Sequence, residues 1–312
     1  MRREQLFSES GFYGFVLQSN VLLHRQATRL VTGILEKWLV VRRNDAPVRV
    51  LDLACGGWPA SVAGVMRGFS DTRFDYLGVD INPDQVRLAS QTFRFPANVT
   101  RARLIEGNAW DPGPQGIAGH FDLIYSGMNL HHGTPEELAF LARQLKGLIA
   151  DNGLLVSHDV YRPRGTAYLR RPDHDPLNPA KSWRLVPLRR LEQSDIAPRR
   201  REGSASRDEP EWRRAYLERM HRVLTARGAD PSGALSTVDH MRQRDYPVSC
   251  EEFKAIFGAA GFRAEEHEFD APEEPMAEFI ALCTARPLNV RRDFGRQRFR
   301  DVPTPRHGTA GR

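Results

Sequence analysis

The run Asp52-Leu53-Ala54-Cys55-Gly56-Gly57-Trp58-Pro59 sets an acid beside a cluster of small residues. Small side chains at 54, 56 and 57 let the backbone come close to a ligand that larger ones would hold off. A second acid, Asp80, follows 28 residues after Asp52. At the end of a strand, a carboxylate can accept hydrogen bonds from two vicinal ribose hydroxyls. A turn of this kind could also serve a dinucleotide. The full G-x-G-x-x-G fingerprint is missing, however, because only Gly56-Gly57 are present.

Further along lie groups that could move protons. Tyr125 and Tyr161 each stand at the end of an apolar run, as does the pair His158-Asp159. A base at such an edge could deprotonate a hydroxyl or amine nucleophile; alternatively, His158 bonds to neighbouring backbone. His131-His132 admits three readings: pocket wall or helix start, proton acceptor, or metal ligand. Adjacent histidines project differently, and no carboxylate–His pair at helical spacing accompanies them, so no metal is expected. Cys55, Cys250 and Cys283 are far apart, without a CxxC pair, and read as small buried thiols rather than as a disulfide or zinc framework.

The elements that must carry these residues are legible from periodicity. Apolar residues at helical spacing over 12–41 predict one or two helices that end before Asn44-Asp45-Ala46-Pro47. Short apolar runs follow at 48–53, 76–80, 102–106, 121–125 and 153–157, with helical stretches such as 84–92 and 134–150 between them. That alternation predicts βαβ units in a parallel sheet, whose buried strands read as nearly continuous apolar runs. Residues 162–245 break the rhythm with Arg- and Pro-rich sequence over 162–210, an amphipathic helix over 210–227 and a second over 232–243. A helix at 249–260, closed by Gly261, and strands at 263–269 and 279–284 complete the pattern.

With strand, small-residue turn, helix, strand and terminal acid in this order, the sequence resembles the class I S-adenosylmethionine-dependent methyltransferase family. The resemblance covers about 48–161, and 247–285 more weakly. Asp52, Ala54 and Gly56 match the family's first motif, while Trp58 stands where a third glycine is usual. The resemblance implies a doubly wound, seven-stranded, mostly parallel α/β sheet with an antiparallel last strand and S-adenosylmethionine as cofactor. The 54–57 backbone, Cys55 included, would face the methionine part, Asp80 would take the ribose, and Ile81 beside it would also touch the cofactor. Asn108-Ala109 would lie beside the adenine, where the family more often has Asp-Ala. Ser126-Gly127, opening the stretch to His132, would line the sulfonium side. Methyl transfer needs alignment and water exclusion more than a strong nucleophile. His131, His158 and Tyr125 are the candidates for removing a proton.

Domain organisation follows. Residues 1–46 form N-terminal helices on the acceptor side, and 47–161 the cofactor-binding core. A helical insertion spans 162–245, the sheet ends in 246–285, and 286–312 is a basic tail. Arginines in the stretches Asp159–Pro163 and Tyr168–Pro172 could hold an acceptor carboxylate or phosphate. So could the neighbourhood of Asp239-His240 and Asp245-Tyr246-Pro247.

The pI of about 9.5 suggests nucleic acid until the charge is located. Beyond Ala285 there are eight arginines against two aspartates, a net +6 equal to that of the whole chain. Residues 1–285 balance at 37 basic and 37 acidic residues, which argues against a body that grips phosphate. The tail is a solvated end or a weak polyanion-binding arm. No Asn/Asp-Pro-Pro-Tyr signature follows strand four, so a small-molecule acceptor is expected over RNA, protein or a catalytically silent role. With no apolar run of about 20 residues and no signal-peptide pattern, a cytoplasmic protein is expected. The 210–227 helix packs on the domain or makes a homodimer contact.

Overall fold

The computed structural model describes residues 15–16, 19–42, 45–113, 116–163, 165–166, 209–268 and 278–284, with backbone alone at 267–268 and 278–284. Helix α1 (His24–Arg42) leads to β1 (Val48–Leu53), α2 (Ala60–Arg67), β2 (Phe74–Asp80), α3 (Pro83–Thr92) and β3 (Val99–Glu106). Then come β4 (Phe121–Gly127), a 3-10 turn (Leu130–His132), α4 (Pro135–Leu148) and β5 (Ile149–Val160). Helices α5 (Glu211–Ala226), α6 (Pro231–Arg244) and α7 (Cys250–Ala259) precede β6 (Arg263–Glu268) and β7 (Glu278–Thr284).

Local chemistry sets the helix starts. Thr134 with Glu137, and Ser249 with Glu252, form reciprocal capping boxes, satisfying N–H groups that the first turn would leave orphaned. Asn82 and Asp230 cap α3 and α6, each followed by a proline whose missing N–H costs nothing there. In α1 the residues Val31, Ile34, Leu35 and Trp38 recur at helical spacing and are buried. The Trp38 indole N–H donates to the Asn152 carbonyl at 2.6 Å, fixing α1 to the start of β5.

Strand order is β3-β2-β1-β4-β5-β7-β6; β3 through β5 are parallel, and β7 runs antiparallel to β5 and β6. The five parallel strands occupy the apolar runs expected of them. β5 differs, because it begins directly at the end of α4 and shifts register between Phe121 and Leu123. Chain direction across the sheet reverses between β1 and β4. In open α/β sheets the crevice above such a switch point receives ligands.

Alternation along the strands divides the core. One face packs Leu51, Leu53, Ile124 and Leu155 under α4 and α7, with Phe253 and Phe257 at its centre. The other packs Val50, Leu123, Tyr125 and Val156 under α1 and α2. A third cluster joins Leu217, Met220 and Leu224 of α5 to Ala234, Val238 and Met241 of α6. The stretch Tyr168–Pro172, most of 162–210 and the tail 286–312 lie outside the described residues.

Candidate functional site

At the carboxyl end of β1 the backbone turns through two left-handed residues, Ala54 (φ 56°) and Gly56 (φ 61°). A Cβ at Gly56 would meet nothing within 4 Å, so glycine serves conformation there rather than space. Three N–H groups tie the turn to the end of β2 and the helix that follows: Cys55 to the Val79 carbonyl (3.0 Å), Gly56 to Asp80 Oδ2 (2.8 Å) and Gly57 to Gln85 Oε1 (2.8 Å). Trp58 is 47% exposed and lies edge-on against Phe93, centroids 5.4 Å apart. Its ring therefore stands clear of the turn.

Asp80 is the pivot of this half. Oδ1 accepts from the Asn82 N–H (2.9 Å) and Oδ2 from Gly56, so each oxygen keeps a further lone pair. Burial raises its pKa, while the two N–H groups pull the other way. A rigid carboxylate with two spare acceptor positions suits a vicinal diol. Asp52, also buried, accepts from the Tyr76 hydroxyl at 2.7 Å. Burial pushes its pKa to about 7 against that hydrogen bond, and the Asp80 charge adds to the rise. Burial and the Asp52 and Asp80 charges also push the Cys55 thiol well up, which makes it a packing residue and not a nucleophile.

Ile81 beside Asp80 is 43% exposed, an apolar side chain facing open space. Asn108 folds on itself: Oδ1 accepts from the Trp110 N–H (3.0 Å) and its carbonyl from the Asp111 N–H (3.0 Å). Ala109 and Trp110 are buried beneath it. A Cβ at Gly133 would sit 2.1 Å from the Trp110 ring, so only glycine lets the loops after β3 and β4 meet.

The second half grows from β4. Ser126 is fully buried, and its hydroxyl has no hydrogen-bond partner among the described residues. After Gly127 the chain passes through Met128 (φ 53°), whose N–H donates to the His158 carbonyl at 2.7 Å. The N–H groups of Asn129 (3.2 Å) and Leu130 (2.6 Å) then converge on Asp159 Oδ2. Asp159 Oδ1 accepts from the Val160 N–H at 2.8 Å and lies 2.5 Å from His131 Nδ1. On the far side of the ring, His131 Nε2 is 3.5 Å from Asp245 Oδ1, and His132 Nδ1 is equally far from the same oxygen.

Burial disfavours charge on His131, but Asp159 and Asp245 outweigh it and hold its pKa up at about 10. Burial and then the charge on His131 hold His132 down at about 3. Both aspartates stay low because His131 offsets their burial. The expectation that adjacent histidines would project apart fails: their ring centroids are 4.0 Å apart, both turned to Asp245.

On the opposite sheet face, His158 is fully buried and meets His24 of α1 edge-on, centroids 5.3 Å apart. His24 Nδ1 lies 3.1 Å from Ser61 Oγ, its buried Nε2 has no partner among the described residues, and burial followed by His158 brings its pKa down to about 3. Tyr125 belongs to the core under α1 and α2. Tyr161 packs on Phe253 with its hydroxyl 3.2 Å from Ser157 Oγ.

The structure thus brings Asp52, Ala54, Cys55, Gly56 and Asp80 into one turn, and His131 and His158 to opposite faces of the β4–β5 edge. His24, which sequence reasoning passed over, carries no signal beyond a polar residue at a helix start. Asp245 joins His131 from 114 positions away, a separation at which no local pattern speaks. An open groove of about 400 Å³ lies between α5 and α6, lined by residues such as Leu217, His221, Leu235 and Arg242. It shares no residue with the crevice.

Comparison with known proteins gives consistent findings. Residues 50–153 match the family described as "Methyltransferase domain". An uncharacterized methyltransferase of Synechocystis sp. is 30% identical over 115 residues, 37% of this chain and 48% of that protein. The chain thus matches about half the length of this curated relative. Among solved structures, the CurJ carbon methyltransferase has a TM-score of 0.50 at 15% identity, with 92% of this chain and 62% of that one covered. The YcgJ protein of Bacillus subtilis reaches 0.43 at 17% identity, covering 78% and 71%.

Proposed function

We propose, from the premise that residues 50–153 are a class I S-adenosylmethionine-dependent methyltransferase domain, that this chain moves a methyl group to an O, N, S or C nucleophile of a small molecule by in-line displacement. The observation that carries the cofactor reading is the Asp80 carboxylate. Two backbone N–H groups fix it beside the left-handed turn, and both of its oxygens can accept further bonds. S-adenosylmethionine supplies the methyl group on a positively charged sulfur that departs as a neutral thioether.

The chain's own residues bind and align. Asp80 takes the ribose hydroxyls, the 54–57 backbone receives the methionine part, and Ile81 with Asn108-Ala109 flanks the adenine. Ser126 and Gly127 line the side from which the methyl group leaves. His158 is the preferred proton acceptor of the three candidates. His131 has a carboxylate at each ring nitrogen and keeps its proton to a pKa of about 10, and Tyr125 packs in the core. The described helices α1, α5 and α6 lie on the acceptor side of a sheet that β6 and β7 extend to seven strands. No helix among the described residues is long and apolar enough to cross a membrane.

Isothermal titration with S-adenosylmethionine, S-adenosylhomocysteine and NAD tests the reading. Both sulfur nucleotides bind and NAD does not. Binding of NAD alone would overturn it.

A further inference from the structure

The geometry points to a structural divalent-metal site of the Zn2+ class, held by His131 Nε2, His132 Nδ1 and Asp245 Oδ1, with the metal replacing the contact that His132 Nδ1 makes with the Arg244 carbonyl at 3.2 Å. It stands apart from whatever the Asp52–Pro59 turn binds. One ligand atom from each of the three residues lies within 4.8 Å of the others. A tetrahedral zinc with bonds of about 2.0–2.1 Å separates its ligand atoms by roughly 3.3 Å. The two recorded separations to Asp245 Oδ1 are both 3.5 Å, close to the edge of such a tetrahedron.

Three further observations agree. Asp245 is 4% exposed, and its Oδ1 has no hydrogen-bond partner among the described residues although it faces both rings. Asp159 holds His131 Nδ1, the outer carboxylate that metal-bound histidines characteristically have, and so directs Nε2 toward Asp245. The third is that no lysine or arginine pairs with either aspartate among the described residues. Imidazole and carboxylate together suit zinc among the divalent metals, and His240, whose ring is 6.0 Å from that of His132, is the next donor in reach.

Such an ion fastens the 3-10 turn after β4 to the end of α6. Backbone already starts that seam: the Tyr246 N–H donates to the His131 carbonyl at 2.8 Å. The metal therefore locks acceptor-side helices onto the sheet edge and leaves the methyl transfer itself to other residues.

The untagged full-length chain, stripped with a chelator and dialysed, is titrated with Zn2+ in competition with a chromophoric chelator near neutral pH. The wild-type protein takes up a single competing equivalent. Asp245→Asn weakens it by about 100-fold or more, and Asp159→Asn, one shell out, by about 10–100-fold. Co2+ gives the visible absorption of a tetrahedral site in the wild type and not in Asp245→Asn, with circular dichroism confirming that the variants are folded. His132→Gln replaces Asp245→Asn if the latter does not fold. No competing equivalent in the wild type, or equal affinity in the wild type and the folded ligand variant, overturns the proposal.

Discussion

The two halves of the crevice are built in opposite ways. On the β1–β2 side, Asp52, Ala54, Gly56 and Asp80 come from a single βαβ unit, and backbone N–H groups do the fixing. On the β4–β5 side, His131, Asp159 and Asp245 come from three separated segments, and buried charges do it. A turn held by backbone can lose one side chain and stay folded, with the loss felt by its ligand. A buried charge cluster that loses a member leaves the others uncompensated, with the loss felt by the whole fold.

The sharpest challenge to that contrast is Asp159→Ala. It strands three N–H groups and one face of His131, and should lower unfolding free energy by about 3–5 kcal/mol in urea titrations. A loss below that of Asp80→Ala would erase the distinction. Next comes Asp52, whose folded pKa of about 7 exceeds the ordinary 3.8. The native state then binds more protons than the unfolded one between these values, so this group's contribution falls as pH rises through that window. The decline is at most about 4 kcal/mol at ~1.4 per pKa unit. Asp52→Asn should gain on the parent steadily as urea midpoints are followed upward in pH; a constant difference would contradict the raised pKa.

Asp80→Ala should cost about 1–3 kcal/mol of S-adenosylmethionine affinity by calorimetry through lost charged hydrogen bonds. Unchanged affinity would disprove the ribose role. Gly56→Ala, forced into a left-handed conformation, should lose about 1–2 kcal/mol in thermal unfolding. Deletion of 286–312 should leave turnover unaltered, and a large fall would revive a macromolecular acceptor.

The same division explains what the sequence revealed. β1, β4 and the end of β5 declared themselves because their buried residues make nearly unbroken apolar runs, and α7 because Gly261 closes it, whereas the capping boxes Thr134–Glu137 and Ser249–Glu252 went unread. The turn was legible because its glycine pair and both acids lie within about thirty positions. Asp159 and Asp245 were noticed as residues, but their partnership with His131 arises only when α6 returns to the sheet edge. Trp58 was legible only as a departure from the glycine pattern, because Phe93, against which it lies, comes from the far end of α3.

That ring has an optical consequence. Trp38 and Trp110 are buried, whereas Trp58 is the exposed tryptophan of the described residues and sits in the turn itself. With Trp183 and the half-buried Trp212 replaced by Phe, its emission reports polarity at the mouth of the crevice. Ligand arrival can therefore be timed by stopped flow without attaching a dye.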